Sequence, residues 1–322
     1  MIASYQQAFL AYLEESLTER VPSTLYEPAN YILGLGGKRI RPVLALLAAD
    51  AVGGEFKSAL PAALAVEVFH NFSLVHDDIM DEAPLRRGKP TVHEKWNANT
   101  GILSGDVMLV MAYECLNDYP PALFAELTQL FSKTAREVCE GQQYDMDFPD
   151  QESVSQEEYL KMIRLKTAVL LGCSLQMGAM IGGLSRRESE PFYAFGIQLG
   201  LAFQLQDDYL DAFGDPATFG KQVGGDIIEN KKTLLYLLAL EKGDEAQRST
   251  LMDLFTTTPE DSTEKIEKAK AIFRSTGADN SIQALMETYT QRALKEVEKF
   301  KISSEKKAAF KAFSVQLMER KL

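Results

Sequence analysis

Two stretches of this chain carry three aspartates each in the pattern D-D-x-x-D: Asp77, Asp78 and Asp81, then Asp207, Asp208 and Asp211. Both follow runs of helical period, and on a helix positions three and four apart share one face. Like charges at that spacing repel by roughly 0.2–0.5 kcal/mol per pair. A local rule broken twice in the same pattern marks a place where something else compensates the charge. One acidic run on a solvated face would be ordinary. Here both runs abut apolar helical stretches, Val66 to Val75 and Phe195 to Leu205. Carboxylate oxygens suit a hard cation, and Mg²⁺ takes one or two carboxylates together with waters and phosphate oxygens. The pattern therefore points to two acidic clusters that hold Mg²⁺ on a phosphorylated substrate.

Three basic clusters punctuate the chain, each beside glycine or proline. They are Gly36-Gly37-Lys38-Arg39-Ile40-Arg41-Pro42, Arg86-Arg87-Gly88, and Gly220-Lys221 through Gly225-Asp226 to Asn230-Lys231-Lys232. Arginine forks match phosphate oxygens in pairs, lysine adds a point charge, and glycine lets backbone approach an anion. The first cluster lacks P-loop spacing. Singly, each would pass for a solubilising loop; beside the acidic motifs they suggest a cavity that handles more than one phosphorylated group.

The elements that must position these groups read as helices almost throughout. Helical period covers 4–19, 23–33, 41–51, a long helix from Pro61 to the first Asp motif, then 101–117, 121–146, 156–183, 187–213, 232–241, 246–256, 261–275, 279–299 and 303–320. Pro42 suits a first helical turn, and Ser155-x-x-Glu158 is a capping-box signature. Residues 84–90 read as a polar loop, and no strand alternation or repeat is visible. With no linker to divide the chain, residues 1–322 are expected to form a single all-α domain.

Composition narrows the class. A net charge of -12 argues against nucleic acid, and 46% hydrophobic with 25% charged residues is ordinary for a globular protein. Cys115, Cys139 and Cys173 are odd in number and lack C-x-x-C spacing, which fits a reducing, cytoplasmic setting without a zinc site. No signal peptide is visible, and the apolar stretch from Ala168 to Leu184 reads as a buried helix and not a transmembrane segment.

In motif order the chain resembles the trans-isoprenyl diphosphate synthases, or polyprenyl synthetases. The resemblance runs from Gly36-Gly37-Lys38-Arg39-x-Arg41-Pro42 through His76-Asp77-Asp78-x-x-Asp81, Arg86-Arg87-Gly88 and Lys166-Thr167 to Gln204-x-x-Asp207-Asp208-x-x-Asp211, Gly220-Lys221, Gly225-Asp226 and Lys231. It implies an isoprenoid-synthase-type helical bundle around a deep cavity, a homodimer, and three Mg²⁺ ions on an allylic diphosphate. Carried over by position, Asp77, Asp78, Asp81, Asp207, Asp208 and Asp211 look like the magnesium-binding motifs. Lys38, Arg41, His70 and Arg87 match positions that hold isopentenyl diphosphate, and Arg86, Lys166, Lys221 and Lys231 those that hold the allylic diphosphate. Thr167 and Gln204 resemble residues that line the reacting carbons. Asn230 departs from the family's usual glycine, but asparagine tolerates the left-handed conformation. His76 is expected to orient the Asp run and His93 to be structural.

The implied reaction is ionisation of the allylic diphosphate, attack by the double bond of isopentenyl diphosphate, and proton loss. Mg²⁺ and fixed cations neutralise the leaving group, and alignment makes the step effectively unimolecular. Phe72 lies five residues before Asp77 and Phe69 eight, so either ring could form a floor that stops chain growth. An aromatic at the Phe72 position resembles the short-chain members, pointing to a C20 product with C15 next. The alternatives are a terpene cyclase of the same fold, whose second motif differs from Asp207-Asp208-x-x-Asp211, and an inactive regulatory subunit, which should have lost one motif. A metal-dependent phosphohydrolase would leave the second motif unexplained. An EF-hand fails on Ala212, where the loop needs glycine.

Overall fold

Apolar residues at helical spacing fold almost the whole chain into helices, and the computed structural model describes residues 2–215, 223–259 and 261–319. Helix α1 spans Ile2–Ser16, α2 Ser23–Gly34, α3 Ile40–Ala51 and α4 Leu60–Met80. Two short antiparallel strands follow, β1 Leu85–Arg86 and β2 Lys89–Pro90, then α5 Val92–Lys95, α6 Ala98–Glu114 and α7 Pro121–Asp147. Helix α8, Gln156–Ile163, runs through a π turn at Arg164–Ala168 into α9, Val169–Ile181, and α10 is Glu190–Phe213. The remainder comprises α11 Gly225–Ile228, α12 Leu234–Lys242, α13 Glu245–Leu254, α14 Thr263–Ser275, α15 Ala278–Glu298 and α16 Ser304–Met318.

The expected helices form with ends shifted by a few residues, and the capping box of Ser155 with Glu158 opens α8. Two expectations change. The segment 156–183 is not one uninterrupted α-helix, because the π turn interrupts it, and 84–90 is a hairpin and not an irregular loop. Its two-residue connection, Arg87-Gly88, has positive φ at both positions (54° and 74°), the backbone that matches the twist of paired strands.

The helices group into two compact units. The first is built from residues up to Arg136 with Leu170–Tyr193 and Lys301–Ser303; the second from Glu137–Val169, Ala194–Phe300 and residues from Ser304 onward. In the first, α4 is the central element, with Ala62, Ala63, Ala65, Val66 and Phe69 fully buried. The stretch Phe56–Met80 is long and apolar enough to cross a membrane, but 72% of that window is buried inside the protein, which marks it as a core helix. Helix α9 also lies against α3 in this unit: a Cβ on Gly178 would stand 2.0 Å from the Ala45 carbonyl oxygen, so only glycine permits this approach. The second unit is closed by Phe195, Phe300 and Phe310, whose rings meet edge to face at 5.2–5.8 Å.

Candidate active site

In the first unit the polar groups gather where α4 ends. Asp77 and Asp78 occupy its last turn, and Asp81 follows as its C-cap, donating its N–H to the Asp77 carbonyl at 2.9 Å. The three acids are not equivalent. Asp81 is exposed and Asp77 half-buried, whereas Asp78 is fully buried. Arg86, reaching back from the hairpin, donates from Nε and Nη2 to Asp78 Oδ1 at 2.9 and 2.5 Å. Burial pushes the Asp78 carboxyl above its ordinary range, and Arg86 opposes that shift. Arg86 also lies 4.0 Å from Asp77 Oδ2.

The next residue, Arg87, turns the other way and donates to the Gly36 carbonyl. Its guanidinium lies against Gly37, where a Cβ would come within 3.0 Å of it. The hairpin tip thus meets the glycine loop that carries Lys38 and Arg41. Arg39 in that loop does something else: it is 4% exposed, caps α3 in the left-handed conformation, and pairs with buried Glu67 of α4. Asn71 donates to the same Glu67 carboxylate at 3.3 Å. Arg39 therefore anchors the loop, while its neighbours on either side carry the cluster's remaining charge. His70 is held well below its ordinary pKa of 6.5 by burial and then by Arg41, Arg87, Arg86 and Arg39, so it is a neutral imidazole among arginines. This concentration of positive charge matches a polyphosphate anion.

Below the acids on α4, Phe72 and Phe69 are buried, with ring centroids 5.4 Å apart. Phe69 packs edge-to-face on Phe131 of α7 at the same distance, and Phe72 on His76 at 4.9 Å. Further down the Phe72 face come Val68 and Leu64, four and eight residues earlier. Both line a cavity of about 300 Å³ together with Leu13, Leu33, Met111 and Cys115. His76 rests on Gly105 of α6, with Nε2 3.1 Å from the Ile102 carbonyl oxygen, and thereby braces the end of α4.

In the second unit α10 presents Asp207, Asp208 and Asp211, and again the middle acid is the buried one, at 5% exposure. Tyr159 donates to Asp208 Oδ2 at 2.5 Å, and Gln204 Nε2 to Oδ1 at 3.1 Å. Burial pushes Asp208 up to about 7, with Tyr159 and Gln204 opposing and Asp207 and Asp211 adding. Asp211 Oδ2 accepts the backbone N–H of Asp226 at 3.0 Å, and Asp226 is itself raised by burial and by Asp211 and Asp208. Asp226 is thus a fourth carboxylate at this cluster, which the sequence showed only as the end of the Gly225-Asp226 motif.

Lys166 and Thr167 sit in the π turn, a form concentrated at functional sites. Lys166 Nζ is 2.6 Å from Asp145 on α7, and Thr167 donates to Gln204 Oε1 at 3.0 Å. Gly141 of α7 makes room for the turn: a Cβ there would lie 2.2 Å from the Lys166 nitrogen. Lys231 pairs with Glu229 at 2.8 Å, while Lys232 clamps the carbonyls of Phe148, Pro149 and Gln151 and is structural. Asn230 adopts φ of 58°, the left-handed backbone expected of it, and its Oδ1 accepts from buried Lys265. Lys221 lies outside the described residues.

Among the described residues no three carboxylates or imidazoles already converge as a metal cage. Asp77, Asp81, Asp207 and Asp211 are carboxylates that solvent still reaches, the hard oxygen donors that Mg²⁺ takes alongside substrate phosphates and waters. Burial first and then the neighbouring acids raise Asp208 and Asp226, so each holds its proton more tightly than a free carboxyl does.

An all-α fold with two aspartate-rich helix ends, one of them beside an arginine cluster, defines the class of metal-dependent enzymes that act on diphosphate esters. The chain belongs to the polyprenyl synthetase family, whose model matches residues 22–273. It is 43% identical over 235 residues to a geranylgeranyl diphosphate synthase of Methanosarcina mazei, covering 72% of each chain. A crystal structure of a geranylgeranyl pyrophosphate synthase superposes with a TM-score of 0.96 at 52% identity, covering 100% of this chain and 99% of that one. A geranylgeranyl pyrophosphate synthase of Corynebacterium glutamicum, complexed with isoprenyl diphosphate and magnesium, superposes with a TM-score of 0.87 at 28% identity, covering 99% and 98%.

Proposed function

We propose that the protein joins isopentenyl diphosphate to an allylic diphosphate as a Mg²⁺-dependent, short-chain trans-prenyltransferase with a C20 product. The observation that carries this reading is the convergence at one end of α4 of carboxylates, Asp77 and Asp81, with a cluster formed by Arg41, Arg86, Arg87 and neutral His70. In this reading Lys38, Arg41, His70 and Arg87 hold isopentenyl diphosphate. Arg86, Lys166, Lys231 and Lys221 hold the allylic diphosphate, and Asp77, Asp81, Asp207 and Asp211 hold the metal, with three ions implied by the family resemblance. Bound there, Mg²⁺ would neutralise charge on the diphosphate as it leaves. Asp78 and Asp208 serve from behind, the one orienting Arg86 and the other Gln204.

Attack by the isopentenyl double bond needs the two substrates in line, which the opposed grips of Arg87 and Arg86 favour. Thr167 and Gln204 face the reacting carbons, and the departing diphosphate accepts the proton, since none of these side chains is a dedicated base. Phe72 forms the floor that ends growth. The cyclase and inactive-subunit alternatives are not favoured: both Asp motifs are intact, and the arginine cluster suits a second diphosphate. We place the enzyme in the cytoplasm as a homodimer through α6, where Ile102, Leu103 and Val110 are exposed apolar residues.

Asp77→Ala and Asp207→Ala test the assignment. Each should abolish condensation while leaving helicity by circular dichroism unchanged, and full activity in either variant would sink it.

A further inference from the structure

Tyr159, Asp208, Gln204 and Thr167 form one hydrogen-bonded chain within the second unit. Tyr159 Oη donates to Asp208 Oδ2 at 2.5 Å, Gln204 Nε2 donates to Asp208 Oδ1 at 3.1 Å, and Thr167 Oγ1 donates to Gln204 Oε1 at 3.0 Å. The direction of each link follows from the one before. A glutamine amide can turn end for end, and its partners decide which end faces where. In its ionised form Asp208 only accepts, so the Gln204 amino group then faces Asp208 and its carbonyl faces Thr167. A carbonyl also only accepts, so Thr167 commits its one proton to Gln204. The lone pairs of Oγ1 are then left to point elsewhere.

We infer that Tyr159 is a positioning residue for the condensation: through Asp208 and Gln204 it fixes the Thr167 hydroxyl as a donor to the protein, so that its oxygen presents lone pairs to the allylic carbons. This rests on the reading above that Thr167 faces those carbons. Tyr159 is 4% exposed, so it acts through its partners and not on substrate. An oxygen dipole fixed in advance stabilises developing positive charge without reorganising at the moment of reaction. Were the chain loosened at Tyr159, Asp208 could rotate and Gln204 could reverse. The Thr167 proton could then face the cation and oppose it. Nothing in the D-D-x-x-D pattern singles out Tyr159, which lies 49 residues from its partner.

Tyr159→Phe keeps the buried ring and deletes only the donor. It should lower kcat by about tenfold to a hundredfold, as expected for a lost hydrogen bond to a charged group. KM for both diphosphates and the Mg²⁺ concentration for half-maximal rate should stay unchanged. The deciding measurement is a double-mutant cycle with Thr167→Val, which keeps the shape and removes the hydroxyl. In that background Tyr159→Phe should change kcat by less than about twofold, because the group it positions is gone. Asp208→Asn, an isosteric change at the next link, should behave likewise if the phenylalanine variant folds poorly. Additive losses, or a raised Mg²⁺ requirement with kcat intact, would overturn the inference. The wild-type rate separates this failure from a wider one, since no wild-type condensation would instead refute the proposed reaction.

Discussion

Arg86 directs two donors, Nε and Nη2, at a single oxygen of Asp78, at 2.9 and 2.5 Å, and the other oxygen, Oδ2, is buried with no partner among the described residues. The middle acid of the first motif is therefore held by the protein. The middle acid of the second, Asp208, is held in the same sense by Tyr159 and Gln204. Two motifs in different units share this division between one inner acid and two outer ones.

The pair makes a stability prediction. Removing one member of a buried ion pair strands the other, so Arg86→Ala should destabilise the protein by about 3 kcal/mol. Combining it with Asp78→Asn should recover a large part of that loss. Denaturant midpoints of the two variants check this, and a double variant less stable than the single would contradict it.

Asp208 predicts an inverted pH dependence in metal-free protein. Its folded pKa, about 7, lies above its ordinary 3.8, so the native state holds the extra proton. Its contribution to stability is full below 3.8 and is lost as pH rises through about 7. His70 acts the other way, its folded pKa lying below 6.5, so it adds nothing above that pH. Between pH 6.5 and 8 the melting temperature should therefore fall, and Asp208→Asn should flatten the slope. A slope unchanged in Asp208→Asn would contradict the account.

Phe72 predicts product length. At 1.5 Å per residue its ring lies about 7.5 Å below Asp77 along α4, with Val68 about 6 Å further down at the wall of the cavity. Phe72→Ala should yield products longer than C20, and Val68→Phe in that background should shorten them again. Chromatography of the products checks both, and an unchanged distribution would return Phe72 to ordinary packing.

Gly141 predicts a coupling between α7 and the π turn. Gly141→Ala would place a carbon 2.2 Å from the Lys166 nitrogen, and the turn or the helix must yield. A loss of about 1–3 kcal/mol in stability is expected. Activity should fall further than stability does, because Lys166 and Thr167 are displaced together. Wild-type kcat in Gly141→Ala would contradict the reading.

Much of this was legible in the sequence. Helical period located the helices, and the two D-D-x-x-D motifs with the arginine and glycine clusters marked the polar ends. What stayed hidden was depth. Spacing places Asp77, Asp78 and Asp81 on neighbouring positions of a helix, but which of them is sealed from solvent depends on Arg86 folding back from a hairpin. That hairpin was hidden too, because Arg87-Gly88 is a less familiar turn pair than Asn-Gly. The π turn left no trace, since apolar period continues across 156–183 while the backbone gains one residue. Arg39 stands in a basic cluster with no role of its own in the sequence, and its buried partner Glu67, 28 residues away, is beyond any local pattern. Lys265, which holds Asn230, lies too far along the chain for any local pattern to connect the two.

The most direct test is condensation itself. Purified protein is incubated with Mg²⁺, labelled isopentenyl diphosphate and each allylic starter in turn, and the products are resolved by chain length. Incorporation that ends at C20 is expected. No condensation with any starter, in a sample whose helicity shows it folded, would contradict it.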